Sequence, residues 1–229
     1  MARKVIIDYR TSAEAVNELN ILGFEAVRTI PVRALYEEVR GHADMQIHFT
    51  GSRLICAPEV CRYYKTQLHD TEIISGSRSI GSEYPYDIAY NTCAMGKYAI
   101  CRREYTAPEI LSSYKDREIL DTRQGYAKCS ICIVNSETAI TSDSGLYSLM
   151  ASKGLNVLKI SPYDIELYGM SGFIGGASGL LYDNLLAFNG DLSTHRDHKN
   201  IEDFCRNVGV DTVSLSHGIL KDIGSIISL

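Results

Sequence analysis

The chain has 229 residues, 45% of them apolar, and a formal net charge of -5. This length suits one compact domain, which we expect to span residues 1–229. The net negative charge argues against nucleic acid and anionic membranes as partners, since both require a basic face. No apolar run approaches the roughly 18 residues that cross a bilayer, and the first residues do not read as a signal peptide. We therefore expect a cytoplasmic protein.

The predicted elements begin with a strand (4–8), a helix (12–22) and a strand (25–30). Thr11-Ser12 offers an N-cap for this helix, and Gly23 follows its end. A pattern of inner strand, tight turn, return strand, helix and outer strand then repeats. The inner strands are predicted within 41–49, 87–95, 125–134, 175–181 and 221–228, and return strands begin at 54, 98, 138 and 185. Helices are predicted at 59–68, from 107, at 144–153 and at 201–208, and outer strands at 71–74, 117–120, 156–160 and 211–215.

The fifth copy stops at the C-terminus, before its return strand, helix and outer strand. The N-terminal strand, helix and strand supply the missing parts. A repeat of about 40 to 50 residues is typical of a closed or stacked array. The pattern therefore predicts an α/β fold with pseudo-fivefold symmetry, a five-bladed α/β propeller whose last blade is closed by the N-terminal strand.

The seven cysteines indicate a reduced protein without disulfides, because they are odd in number and scattered. Cys129 and Cys132 have the spacing of a redox or zinc pair. Side chains three positions apart on a strand point to opposite faces, so we expect neither a redox pair nor a metal site there. We also expect no cofactor. Glycines within 169–179 are expected to let the chain approach the axis closely.

Candidate site residues lie at the predicted mouths of the inner strands. His42 and Asp44, two residues apart on a strand, would face the same side. Cys129 occupies the position equivalent to Asp44 in the third copy, and Asp222 the matching position in the fifth. In a pseudo-fivefold ring these positions meet at the axis, where a thiol, an imidazole and carboxylates suit nucleophilic catalysis.

Two further copies contribute polar groups to the same axis. The second copy adds Asp87 and Asn91, and the fourth adds Ser178. A structural interpretation of the main residues stays open: Asp44 would cap the turn after Gly41, and Cys129 would be a buried thiol of an inner strand.

These residues resemble the pentein fold of guanidino-group-modifying enzymes, which is a five-bladed ring. The stretch from His42 to Asn135 is most similar to the dimethylarginine dimethylaminohydrolases, with His42 matching their acid/base histidine and Cys129 their nucleophile. His42-Ala43-Asp44 is also similar to the His-x-Asp of agmatine and arginine deiminases. The remainder of the chain resembles the family in circularly permuted order.

The resemblance implies a hydrolase or transferase acting on a C–N bond of a small guanidino or amidino compound. Cys129 would attack as a thiolate, His42 would protonate the leaving amine and then activate water, and Asp44 and Asp222 would hold the cationic end. A small-molecule substrate is the expected partner, and a homodimer is left open. Further residues expected to bind the substrate are Asp87, Asn91, Ser178 and Ser225.

The sequence departs from the resemblance at two places. Residues 173–178 contain no carboxylate where the family grips the guanidinium, and the aspartate that would orient the histidine falls at Ser225, with Asp222 nearby. The alternative function is therefore a non-catalytic pentein that serves as a small-molecule binding or scaffold protein.

Overall fold

Short strands and helices alternate along residues 3–229, the part of the chain that the computed structural model describes. The strands are β1 (Arg3–Ile7), β2 (Phe24–Arg28), β3 (Ile47–Phe49), β4 (Arg53–Cys56), β5 (Glu72–Ser75), β6 (Cys93–Met95), β7 (Tyr98–Cys101), β8 (Glu118–Asp121), β9 (Cys132–Ile133), β10 (Thr138–Thr141), β11 (Asn156–Lys159), β12 (Ile165–Leu167), β13 (Met170–Ser171), β14 (Ser178–Tyr182), β15 (Leu185–Phe188), β16 (Asp211–Ser214), β17 (Leu220–Lys221) and β18 (Ile227–Ser228). The helices are α1 (Ala13–Ile21), α2 (Ala43–Gln46), α3 (Pro58–Gln67), α4 (Pro108–Ser113), α5 (Ala127–Ser130), α6 (Ser144–Ser152) and α7 (His198–Arg206), with a 3₁₀ turn at Leu192–Thr194.

Five three-stranded sheets share one internal order, in which an antiparallel pair is extended by a parallel outer strand. These sheets are β3-β4-β5, β6-β7-β8, β9-β10-β11, β14-β15-β16 and β18-β1-β2. In each sheet a helix connects the middle strand to the outer strand, as a parallel pair requires. Each sheet described for residues 3–229 is open, and none closes on itself.

The two ends of the chain pair in one sheet, as the repeat predicts. β1 runs antiparallel to β18, with Val5 opposite Ser228 and Ile6 opposite Ile227, and parallel to β2. The N-terminal segment therefore completes the sheet that the C-terminal strand begins.

The middle strands lie deepest in the molecule. All four residues of β7 and of β10 are buried, whereas β5, β11 and β16 keep exposed residues at both of their ends. A strand covered on both faces has an almost continuous apolar sequence, which is why these return strands were the simplest to predict.

Capping residues fix the helix that joins the terminal strands. The Ser12 hydroxyl accepts a hydrogen bond from the backbone N–H of Ala15 at 3.1 Å, so Ser12 is the N-cap of α1. Gly23 follows the helix with a φ of 88°, a left-handed conformation that glycine adopts without strain. Both signals were read from the sequence, and both are confirmed.

The prediction of long inner strands is wrong for the first half of these strands. Residues 43–46 and 127–130 form the one-turn helices α2 and α5, and pairing starts only at β3 and β9. Before the ladder begins, the backbone bonds locally: the N–H of Ser130 donates to the carbonyl of Tyr126 at 2.9 Å, and that of Met45 to His42 at 3.3 Å. Each segment is only four residues long, too short a window for helical and strand periodicity to be told apart.

A sixth sheet has no counterpart in the predicted pattern. β12 pairs antiparallel with β13 and parallel with β17, which brings the hairpin 165–171 against the segment that leads to Asp222. Its strands are two or three residues long, too short for hydrophobic periodicity to reveal them.

No helix within residues 3–229 has the length and apolar character needed to cross a membrane.

We predict that β1, the central strand of the sheet that pairs both ends of the chain, contributes strongly to stability. Replacing the fully buried Ile6 with alanine should lower the free energy of unfolding by about 2 to 5 kcal/mol, because it opens a cavity in the central strand of the terminal sheet. Ile21→Ala, at a side chain that is 69% exposed on α1, should change it by less than about 0.5 kcal/mol. Urea denaturation of both variants tests this, and equal losses would contradict it.

Candidate functional site

The predicted imidazole, carboxylate and thiol meet in the interior. A nitrogen of His42, a carboxylate oxygen of Asp44 and the Sγ of Cys129 all lie within 4.8 Å of one another, and all three residues are buried. His42 and Asp44 do so from a helical turn, His42 as the residue before α2 and Asp44 inside it. The expectation that they share a face because they alternate along a strand is therefore wrong in its premise, although they do lie close together.

Asp44 and Asn91 hold the thiol from two sides. The Cys129 Sγ–H donates to Asp44 Oδ2 at 3.0 Å, and the Asn91 side-chain amide donates to Sγ at 3.0 Å. The Asn91 Oδ1 also accepts from the backbone N–H of Lys128 at 2.7 Å and of Cys129 at 3.3 Å. One amide side chain therefore orients both the sulfur and the turn that carries it.

Asp222 is the carboxylate nearest to the imidazole. Its Oδ1 lies 3.8 Å from His42 Nδ1, and its two oxygens accept from the backbone N–H groups of Gly224 at 3.1 Å and Phe173 at 2.9 Å. Gly176 packs so closely on Asp222 that a Cβ would overlap the carboxylate, in line with the predicted role of these glycines.

Ser225 does not orient the histidine. Its hydroxyl donates to Asp44 Oδ2 at 2.6 Å and lies 2.9 Å from the carbonyl oxygen of Gly175. The position that the resemblance assigns to a histidine partner therefore belongs to the carboxylate next to the thiol.

Lys128 is a site residue that the sequence reasoning missed. Its Nζ donates to the Ser225 hydroxyl at 3.0 Å, and its positive charge acts to lower the pKa of Asp44. A single lysine inside the apolar run 125–134 was the available signal. The Lys128 side chain completes a chain of hydrogen bonds that runs from the thiol through Asp44 and Ser225 to the ammonium group.

Residues of the site line two separate cavities. His42, Cys129 and Asp222 line one cavity of about 380 Å³. Asp44 and Ser178 line a second cavity of about 190 Å³, together with Lys128. Ser178, predicted to bind substrate beside Cys129, is thus placed in the second cavity, where its hydroxyl donates to the carbonyl of Ile174 at 2.8 Å.

Asp87 does not line the first cavity itself, but it binds an aromatic residue that does. Its Oδ2 accepts a hydrogen bond from the hydroxyl of Tyr126 at 2.7 Å, and the Tyr126 side chain lines the cavity. Burial raises the pKa of Asp87, and the bond from Tyr126 opposes this.

Burial shifts the pKa values of His42, Asp44, Asp222 and Cys129 towards their neutral forms. It lowers the pKa of His42 to about 3, with the charge of Arg10 as the second cause, and raises that of Asp222 to about 7, with Asp44 as the second. Burial, followed by the charges of Asp44 and Asp222, raises the pKa of the Cys129 thiol well above its ordinary value. The thiol is therefore protonated at neutral pH in the ligand-free protein.

Some polar atoms of the site have no hydrogen-bond partner within residues 3–229. They are His42 Nε2, Asp44 Oδ1 and Asp87 Oδ1, all buried. Buried polar atoms are nearly always paired in folded proteins, so atoms left without a partner are the ones that a ligand or water would reach.

His42, Asp44 and Cys129 are the only donors within the described part of the chain that are close enough together to hold a metal ion. A metal requires the thiolate, and the raised pKa of Cys129 opposes its formation. The absence of a metal stays a prediction.

Comparison with known proteins places the chain in a family. A family model described as "Family of unknown function (DUF6873)" matches residues 6–227. The chain belongs to this family. No curated protein matches its sequence.

Several solved structures share the fold of this family member. DDAH from Pseudomonas aeruginosa, solved with citrulline, is 8% identical with a TM-score of 0.57, and the alignment covers 100% of this chain and 99% of that one. Inosamine-phosphate amidinotransferase from Streptomyces griseus is 10% identical with a TM-score of 0.59, covering 99% and 93%. The agmatine deiminase of C. jejuni is 8% identical with a TM-score of 0.52, covering 92% and 74%. The chain has the pentein fold, as its resemblance predicted.

The opposite shifts of His42 and Asp222 generate a testable pH dependence. Folding raises the pKa of Asp222 from 3.8 to about 7, so its contribution to stability is present at low pH and is lost as the pH rises through that window. Folding lowers the pKa of His42 from 6.5 to about 3, so stability is lost as the pH falls from 6.5. The two slopes oppose each other in the wild type.

We predict that replacing either residue removes its own effect on the pH dependence of stability and leaves the effect of the other residue. Relative to the wild type, His42→Asn should lose stability from pH 4.5 to 6.0 and Asp222→Asn should gain it, each by about 2 kcal/mol at one proton per molecule. Urea denaturation at both pH values measures this. His217→Asn, at a side chain that is 95% exposed, is the control. If both variants follow the wild-type pH dependence of stability, the pKa shifts of His42 and Asp222 are contradicted.

Proposed function

We propose that the chain is a cysteine-dependent hydrolase or amidinotransferase that acts on a C–N bond of a small guanidino or amidino compound. The observation that carries this proposal is the grouping of Cys129, His42 and Asp222 on the wall of one cavity. A nucleophile, a proton carrier and an acid within reach of one another are the parts that such a reaction needs.

The fold is compatible with this chemistry. The solved pentein structures named above include an amidinotransferase and an agmatine deiminase, although fold likeness alone does not transfer an activity. We further propose that residues 1–229 form a single domain, that the five equivalent sheets are the blades of a pseudo-fivefold ring, and that the chain order is circularly permuted relative to those enzymes.

The charge of the substrate is part of the proposed activation. The ligand-free thiol is neutral because burial and two nearby carboxyl groups disfavour the thiolate. A bound guanidinium or amidinium places a positive charge beside the sulfur, which offsets both effects. The thiol proton then passes along the existing hydrogen bond to Asp44 Oδ2, whose own pKa is raised by burial.

His42 and Asp222 supply the second half of the reaction. The sulfur of Cys129 forms a bond to the central carbon, and the C–N bond to the leaving amine breaks as His42 donates a proton to that nitrogen. Asp222, 3.8 Å from His42 Nδ1 and with a pKa of about 7, can replace that proton. Water or a second amine, deprotonated by His42, then bonds to the carbon as the C–S bond breaks, and the sulfur takes its proton back from Asp44.

A second candidate function is supported by one observation. His42, Asp44, Cys129 and Asp222 are all buried, the Cys129 thiol has a raised pKa without a ligand, and residues 173–178 offer no carboxylate to a guanidinium. A non-catalytic pentein that binds a small molecule in this cavity, or acts as a scaffold, would have the same properties.

Substitution of the proposed nucleophile separates the two functions. Cys129→Ala should reduce the release of amine or ammonia from a panel of substituted guanidines and amidines by several orders of magnitude, because the sulfur is the bond-forming atom. Cys132→Ala, which removes a thiol from the neighbouring strand, should retain the rate once its folded fraction is matched by circular dichroism. Unchanged turnover in Cys129→Ala would end the assignment.

Alkylation of Cys129 tests the role of substrate charge. Relative to their rates with free cysteine, 2-chloroacetamidine should label Cys129 at least about tenfold faster than the neutral 2-chloroacetamide, since an amidinium beside two carboxyl groups lowers the thiol pKa by at least about one unit. Mass spectrometry at neutral pH identifies the labelled residue. Equal normalised rates would favour the binding protein over the enzyme.

A further inference from the structure

The cavity that contains Cys129 has mostly apolar walls. Its polar side consists of His42, Cys129 and Asp222. The remaining lining residues are Tyr36, Glu38, Val39, Met45, Tyr126, Leu167, Met170 and Phe173. All but Glu38 present apolar or aromatic surface, so a ligand that fills the cavity would place most of its own surface against carbon atoms.

The wall is built by three separate parts of the chain. The loop 32–40 contributes Tyr36 and Val39, and the hairpin β12–β13 contributes Leu167 and Met170. Between them, the rings of Tyr126 and Phe173 lie 6.3 Å apart with an interplanar angle of 32°. Aromatic rings in this arrangement present a broad apolar face to a ligand.

The rim leaves apolar surface exposed that a ligand would cover. Tyr36 is 57% exposed and Met170 is 54% exposed, and both line the cavity. Exposed apolar side chains that line a cavity indicate a binding surface, because covering them removes apolar area from water.

The charged groups of the cavity favour a cation and offer nothing to an anion. Among the lining residues that the structure describes there is no lysine or arginine, whereas Asp222 and Glu38 are acidic. A carboxylate placed here would lose its hydration without gaining a partner.

The nearest arginine is already committed to other contacts. Arg10 donates to both carboxylate oxygens of Asp8, through Nε at 2.9 Å and Nη2 at 2.6 Å, and to the carbonyls of Glu37 and Glu38. These bonds occupy four of its five N–H groups. Its guanidinium also lies 4.9 Å from the ring centroid of Tyr168. Arg10 therefore holds the loop 37–38 in place and is not available to bind a ligand.

From these contacts we infer that the ligand is an amidinium or guanidinium that carries an apolar, aryl or aralkyl substituent and no carboxylate. This inference rests on the proposed function for the orientation of the ligand, with the cationic carbon at Cys129 and the substituent against Tyr126, Phe173 and the hairpin β12–β13. It separates this chain's substrate class from arginine-like amino acids, whose carboxylate has no partner here.

Calorimetry on Cys129→Ala measures the preference without turnover. Four ligands vary one feature at a time: benzylguanidine, methylguanidine, benzylurea and L-arginine. Benzylguanidine should bind at least tenfold more tightly than methylguanidine, and also than the neutral benzylurea, whereas L-arginine should bind no more tightly than methylguanidine. Tighter binding of L-arginine than of methylguanidine, or equal binding of benzylguanidine and benzylurea, would overturn the inference.

A pair of variants locates the substituent. In the Cys129→Ala background, Tyr36→Ala together with Met170→Ala should remove at least two thirds of the advantage of benzylguanidine over methylguanidine, expressed as a ratio of dissociation constants on a logarithmic scale. Both side chains are more than half exposed, so folding should be retained. Ile21→Ala, an exposed apolar residue on α1, is the control. A ratio unchanged by the double substitution would place the substituent elsewhere and overturn the inference.

The failure of this inference is distinguishable from that of the proposed function. If the wild type turns over none of these compounds but Cys129→Ala binds them in the expected order, the ligand class stands and the enzyme assignment falls. If the wild type turns over L-arginine faster than benzylguanidine, the enzyme assignment stands and the ligand class falls.

Discussion

The centre of the molecule depends on one hydrogen bond, from the thiol of Cys129 to a carboxylate oxygen of Asp44, between residues 85 positions apart. It joins the helical turns α2 and α5, which lead into the sheets β3-β4-β5 and β9-β10-β11. A buried carboxylate is tolerated only when it is paired, and Asp44 is paired by the thiol, by Ser225 and through Ser225 by Lys128. Burial, followed by the charges of Asp44 and Asp222, keeps the pKa of the Cys129 thiol well above its ordinary value.

This arrangement divides the interior into two compartments with different chemistry. The larger cavity exposes Cys129 and is bounded by apolar walls, whereas the smaller one contains Asp44 and Lys128. Asp44 lines the smaller cavity and not the larger one. In the proposed reaction it accepts the thiol proton and does not bind the substrate.

Much of the fold was predictable, and the limits have physical causes. Return strands, outer strands and helices followed from buried apolar runs and from caps such as Ser12 and Gly23, which act locally. Alternation failed at 43–46 and 127–130, because a four-residue turn is too short for its period to be told from that of a strand. The grouping of His42, Asp44 and Cys129 was reached through the repeat. The second cavity at Ser178 and the part played by Lys128 depend on side-chain directions that no periodicity contains.

In the proposed reaction the positive charge of the ligand creates the nucleophile. The direct measurement is the ultraviolet absorbance of thiolate at neutral pH, taken as the difference between the wild type and Cys129→Ala, during titration with an unreactive amidinium. The account predicts a difference near zero without ligand that rises towards one thiolate per chain at saturation. A full thiolate signal before any ligand is added, or no signal at saturation, would contradict it.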